Sequence, residues 1–332
     1  MCPTAMATGA GQNMVGLYGL DSEFEKLLRF VSETGEHDLF EAMKRMFHTW
    51  LEHTDPQERN AYYNWMGKFS FWGSINHENG DYTLLKNRAE TLKTHVDDFL
   101  WLYRRLADYR SKLVLWALLA YWTENDSKFL KRAKDEQFET YFDLDLIRCG
   151  EQEIFVDLGG FVGDTVLAYI KTYGSACYKK IYTYEISERN LVRMRTKLTG
   201  YDRIEICARG VGEKAGLMYI DKSMNAVDAV RLGNNGTEEI QVVALDEDIK
   251  EAISYLKMDI EGGEYAALKG AAEHIRADKP KLVVSLYHSN DDLWRLPKLI
   301  QAIMPDYRFY LRYYGSTFIA TDYILYCLPP ER

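Results

Sequence analysis

Ile154-Phe155-Val156-Asp157-Leu158-Gly159-Gly160-Phe161-Val162-Gly163-Asp164-Thr165 decides the fold. An apolar run broken by one acid passes into glycines and then into a helical pattern reaching Tyr173. That order is a strand, a tight turn and a helix. In an open α/β sheet, ligands bind beyond the carboxyl ends of the strands, and a Gly-rich turn lets backbone approach them. The dinucleotide fingerprint G-x-G-x-x-G does not fit. Counted from Gly159 the later positions hold Phe161 and Asp164, and counted from Gly160 they hold Val162 and Thr165. Asp157-x-Gly159-x-x-x-Gly163 followed by Asp164 suits a cationic ligand without phosphates, and S-adenosylmethionine is the common one.

Downstream, the same rhythm continues. Strands are expected at Ile181–Glu185, Ile204–Ala208, Leu256–Asp259 and Leu282–Tyr287, with helices at Thr165–Tyr173, Glu188–Leu198, Glu264–Ile275 and Leu293–Ile303. Such alternation implies right-handed crossovers and a parallel sheet covered on both faces. Arg308–Tyr314 and Tyr323–Leu328 have no helix between them, which predicts an antiparallel hairpin at one edge. Residues 212–245, centred on Gly233-Asn234-Asn235-Gly236, read as an irregular insertion with one or two short strands.

Upstream, the texture is helical. Six of the seven Trp precede residue 150, and stripes such as Leu39, Phe40, Met43, Phe47, Trp50 and Leu51 recur at helical spacing. Asp55-Pro56 has the form of an N-cap followed by Pro at the first helical position. The expected organisation is a disordered leader over 1–19, a helical domain over 20–148 and a ligand-binding α/β domain over 149–332. The fold class is α/β, a doubly wound, Rossmann-like sheet of seven strands preceded by an all-helical region.

Composition bounds the function. A net charge of −9 leaves no phosphate-neutralising surplus, so a nucleic-acid-coating role is disfavoured. The most apolar stretch, Leu113–Trp122, is about half the length of a bilayer span, so no membrane insertion is expected. Five scattered cysteines without a C-x-x-C pair support neither a disulfide framework nor a zinc site, and point to a reducing cytoplasm.

The chemistry is expected at three strand ends. Glu185, 28 residues beyond Asp157, sits where a carboxylate accepts ribose hydroxyls. With it, Asp157, Gly159, Gly160, Phe161, Gly163, Asp164, Thr165 and Ile186 form the expected donor site. Lys257, Asp259 and Glu261 crowd the end of a later strand, and Glu264 there is favoured by the helix macrodipole alone. His288, at the end of the next strand, should lie beside Asp259 and is the candidate general base.

These residues resemble the FkbM-type methyltransferases. The resemblance rests on Asp157-Leu-Gly-Gly-Phe-Val-Gly-Asp164, Glu185, Ala244-Leu-Asp246, Leu256-Lys-Met-Asp-Ile-Glu-Gly-Gly-Glu264, Leu268-Lys-Gly-Ala271 and Ser285-Leu-Tyr-His288, and spans about residues 141–328. Gly160-Phe161 stands where many members have Ala-Asn. The resemblance implies S-adenosylmethionine-dependent O-methylation of a sugar, a glycan or a related natural product. His288 would then take the hydroxyl proton, Asp259 would orient it or the acceptor, and Glu261 and Lys257 would support. Three alternatives stand beside this: N-methylation of an amino sugar or small amine, a non-catalytic nucleotide-binding module, and a divalent metal on Asp259, for which no diagnostic ligand spacing is present. The Trp-rich helical region is expected to border the acceptor or form a homodimer contact.

Overall fold

The computed structural model describes residues 17–69, 71–221, 231–233 and 238–330. Most of the expected leader, residues 1–16, and the Asn234–Gly236 turn lie outside them. Residues 17–19, expected in that leader, already belong to a helix.

Seven helices open the described chain: α1 (Leu17–Glu33), α2 (Glu36–His53), α3 (Pro56–Lys68), α4 (Thr83–Thr94), α5 (Val96–Arg105), α6 (Tyr109–Glu124) and α7 (Ser127–Ala133). Asp55 caps α3 by accepting the Gln57 N–H, as the Asp-Pro pair predicts. The apolar stretch at 113–122 lies within α6 and is almost wholly buried. Among the described residues, no helix is long and apolar enough to cross a membrane.

The alternating region follows as β1 (Ile154–Leu158), α8 (Asp164–Tyr173), β2 (Lys180–Tyr184), α9 (Glu188–Lys197) and β3 (Ile204–Cys207). Next come β4 (Gly210–Val211), β5 (Gly216–Asp221), β6 (Arg231–Gly233), β7 (Glu239–Val243), α10 (Leu245–Asp248) and β8 (Tyr255–Met258). The chain closes with α11 (Glu264–Lys269), α12 (Ala272–Asp278), β9 (Lys281–Ser285), α13 (Asp292–Ile303), β10 (Arg308–Tyr313) and β11 (Tyr323–Leu328).

Seven strands form one sheet in the order β10-β11-β9-β8-β1-β2-β3. The five strands from β9 to β3 run parallel, and β10 and β11 form the antiparallel edge hairpin. Strand order reverses between β1 and β8, which opens a crevice at their carboxyl ends.

Two expectations need correction. Among the described residues the insertion holds three strands, β5, β6 and β7, rather than one or two, and they join β4, just before it, in a second sheet of order β4-β7-β5-β6. The expected helix Glu264–Ile275 is two helices, because the chain turns at Gly270. A Cβ there would lie 2.0 Å from the Gly212 carbonyl oxygen, so the backbones of α11's end and the second sheet touch directly. Asp246 then accepts the Glu273 and His274 N–H groups and starts α12.

The helical region and the sheet share one continuous apolar core. Arg312 of β10, itself 2 % exposed, ties them together: it pairs with Asp108 at 2.8 Å and Asp143 at 2.8 Å, and donates to Ser111 at 3.0 Å. Asp108 caps α6 with the same carboxylate, and Arg312 outweighs burial to hold it below the usual carboxylate range. Backbone bonds from Ala107 to Phe309 and from Asp135 to Tyr313 extend the seam.

At the sheet's centre, Asp157 of β1, Thr183 of β2 and Lys257 of β8 stand in one row. Lys257 Nζ lies 2.9 Å from Asp157 and donates to the Leu158 and Gly159 carbonyls at 3.1 and 2.8 Å. Burial works against the ammonium, but Asp157 and Asp259 hold its pKa above the ordinary value. Removing one partner of a buried pair strands the other charge, at a cost of about 3–5 kcal/mol. Lys257→Met should therefore lower stability in urea titration by about that amount, and a loss under about 1 kcal/mol would show that the pair does not hold the sheet centre.

Candidate functional site

The crevice at the β1/β8 reversal is a cleft of about 780 Å³. One half is built on the turn after β1. Gly159 (φ +80°) donates its N–H to the Tyr184 carbonyl, and a Cβ on it would come within 1.8 Å of the Asp259 carbonyl oxygen. Glycine is required at that position by both conformation and space. Phe161 takes a left-handed conformation (φ 47°), and its N–H joins those of Ile186 and Ser187 on the Glu185 carboxylate. Strain of this kind persists where the surroundings fix it. Burial still pushes the Glu185 carboxyl above its ordinary value. Phe161, Asp164, Thr165, Glu185 and Ile186 all line the cleft, which is closed on this side by Arg209–Gly212, Met218 and Leu232.

The other half lies at the end of β8. Asp259 accepts hydrogen bonds from the Tyr141 and Tyr287 hydroxyls and sits 3.3 Å from His288 Nε2. Although burial would raise its pKa, His288, Lys257 and the tyrosines hold it below the carboxylate range. Glu261 (φ 55°) faces the cleft 3.6 Å from the same nitrogen. Burial pushes it up to about 7, with Asp259, Glu264 and Glu185 adding to the shift and His288 opposing it. Lys68 and Phe69, from the end of α3, also line the cleft. Phe69 stacks on Phe71, and Phe71 packs edge-on against the His288 ring at 5.0 Å.

Residues 157–316 match the model of the methyltransferase FkbM domain. The chain carries an FkbM methyltransferase domain. In structure, the chain is similar to the FkbM methyltransferase of Methylobacillus flagellatus KT, with 27% identity, a TM-score of 0.61, and coverage of 72% of this chain and 61% of that one. The present chain thus spans about three-fifths of that relative's length. It is also similar to an rRNA methylase of Streptococcus thermophilus (13% identity, TM-score 0.37, 55% of this chain and 90% of that one). Fibrillarin of Aeropyrum pernix, solved with natively bound S-adenosyl-L-methionine, matches at 11% identity with a TM-score of 0.35, covering 54% of this chain and 67% of that one. No curated protein matches the chain.

The FkbM domain brings most of the expected residues to one cleft, but not all. Asp157 is wholly buried and serves Lys257 instead of facing the cleft. Gly160 packs under Thr183, where a Cβ would lie 2.0 Å from its hydroxyl, and Gly163 (φ +83°) forms the turn behind. Neither glycine lines the cleft.

His288 requires the larger correction. Its side chain is 1% exposed and lies behind the cleft wall, with Nδ1 2.9 Å from Glu264. Burial would lower its pKa, but Glu264, Glu261 and Asp259 outweigh that and raise it to about 10. A ring set back behind the cleft wall does not meet an acceptor in the cleft directly. Sequence reading assigned Tyr141 no role at the site, although Tyr141-Phe142-Asp143 belongs to the stretch that carries the resemblance, and Lys68 and Phe69, which carry no motif, reach the cleft only through the tertiary fold.

Gly159→Ala tests the loop. The Asp259 carbonyl cannot yield without moving β8's end, so the variant should lose about 2 kcal/mol or more of stability in urea titration. An unperturbed midpoint would mean that the turn has room the geometry denies it.

Proposed function

We propose that the protein transfers a methyl group from S-adenosylmethionine to a hydroxyl oxygen of a sugar, glycan or related natural product. The observation that carries this reading is the union, in one cleft, of a ribose-type carboxylate on a Gly turn with an acidic floor. The volume falls in the range of small-ligand sites. Glu185, preset by backbone N–H groups, would hold the ribose hydroxyls, and Asp164 would face the ammonium. Val211, Met218 and Leu232 would cover the adenine.

When bound, the donor supplies an electrophilic methyl on its sulfonium. The chain's own contribution is alignment and the exclusion of water. Asp259, fixed by Tyr141 and Tyr287, would orient the acceptor hydroxyl. Glu261, the cleft carboxylate not tied down by tyrosines, would take the proton. As the new C–O bond forms, the C–S bond breaks, leaving S-adenosylhomocysteine, the methylated acceptor and a proton on Glu261. Phe69 supplies an aromatic face of the kind that packs against a sugar ring.

Incubation with methyl-labelled donor and extracts of nucleotide sugars and surface glycans tests the reaction. Label in an O-methyl sugar supports the reading, label in an N-methyl group transfers it to amines, and no labelled product overturns it. In calorimetry, Glu185→Ala should weaken S-adenosylhomocysteine binding by about 1–3 kcal/mol, the worth of hydrogen bonds to a charged group. Unchanged affinity would remove Glu185 from the donor site.

A further inference from the structure

Three carboxylates converge on one buried imidazole at the ends of β8 and β9. Glu264 lies 2.9 Å from Nδ1 of His288, while Asp259 and Glu261 lie 3.3 and 3.6 Å from Nε2. The neighbouring cations are committed elsewhere: Lys257 to Asp157 and two carbonyls, Arg295 to Asp292. Three carboxylates therefore crowd one buried imidazole, and buried charge left without compensation is costly. Buried charges are ordinarily paired or coordinate a metal. A second observation points the same way. His288 is among the most deeply buried side chains near the cleft, yet neither of its ring nitrogens makes a hydrogen bond of acceptable geometry.

We propose that Asp259, Glu264 and His288 bind a divalent cation of the magnesium or manganese class beside the acceptor end of the cleft. Each offers one ligand atom, and these atoms lie within 4.8 Å of one another. Around an ion with ligands at about 2.1–2.3 Å, neighbouring donors stand roughly 3 Å apart and opposite ones roughly 4.4 Å, so small side-chain rotations close the set. Carboxylates dominate it, two to one imidazole, and carboxylate oxygens suit magnesium and manganese. The ligands are themselves held in place, as metal ligands usually are. The Tyr141 and Tyr287 hydroxyls hold Asp259, and the Ile260 N–H donates to Glu264 at 2.7 Å.

Of the three ligands Asp259 lines the cleft, so an ion on it would stand at the cleft's edge, with Glu264 and His288 behind. Its role rests on the methyl-transfer reading. There it would polarise the acceptor hydroxyl as a Lewis acid, easing loss of the proton to Glu261.

The experiment separates the two readings by measuring the ion without any reaction. The full chain is freed of metal by chelation and titrated with manganese chloride, with free ion followed by electron paramagnetic resonance and S-adenosylhomocysteine binding measured in parallel by calorimetry. One manganese per chain, displaced by magnesium, is expected. Glu264→Gln and Asp259→Asn should each weaken manganese binding by about 10- to 100-fold, with circular dichroism confirming that the variants fold. Because the two variants act through different elements, loss of fold in one leaves the other as the test. No manganese binding up to about 1 mM, in protein that still binds S-adenosylhomocysteine, overturns the cation site alone. Manganese binding without S-adenosylhomocysteine binding keeps the cation site and overturns the donor reading. Wild-type affinity in both folded variants shows that the ion binds elsewhere and sinks the assignment.

Discussion

The ion pair between Asp157 and Lys257 sets the geometry of everything around it. Both side chains are almost completely removed from solvent, so each requires the other, and the pairing fixes the register of β1 against β8. Because Lys257 also grips the Leu158 and Gly159 carbonyls, the turn after β1 is anchored to the neighbouring strand instead of hanging free. The same turn presents the Phe161 N–H to Glu185 and places Gly159 against the Asp259 carbonyl. The two halves of the cleft are thus positioned by one buried charge pair and one missing side chain.

The helical region completes the cleft by being fused to the opposite edge of the sheet. Arg312 makes that junction rigid, because a buried guanidinium with two carboxylates and a hydroxyl has little freedom to shift. Trp72 adds a second anchor by donating to the Tyr287 carbonyl at 2.8 Å, one residue before His288. Phe69 and Lys68 therefore line the cleft from a segment whose position is set at the edge strand and at β9's end.

Where the sequence was legible, the determinant was local. The run from Ile154 to Thr165 states strand, turn and helix in consecutive residues, and Glu185 and Asp259 each close a short apolar strand. What was illegible depends on partners far along the chain. Asp157 reads as a cleft acid until Lys257, one hundred residues later, is seen to claim it. His288 reads as a free base until Glu264 and Phe71 are packed on it. The four-stranded second sheet is hidden because its strands are short and its first strand pairs with its last in sequence order, β4 with β7. Gly270 is apolar-neutral in any periodicity count, and only its contact with Gly212 explains why a helix stops there.

Lys68 and Phe69 come from the helical region, whereas every group given to the donor in the proposed reading lies after the start of β1. On the proposed reading, mutational drift at the end of α3 would retune which acceptor enters while the strand-end groups are left unaltered. Selection can act on the two halves separately, and the same separation offers a route to redesign: a library confined to the α3–α4 connection would sample new acceptors on an otherwise constant enzyme.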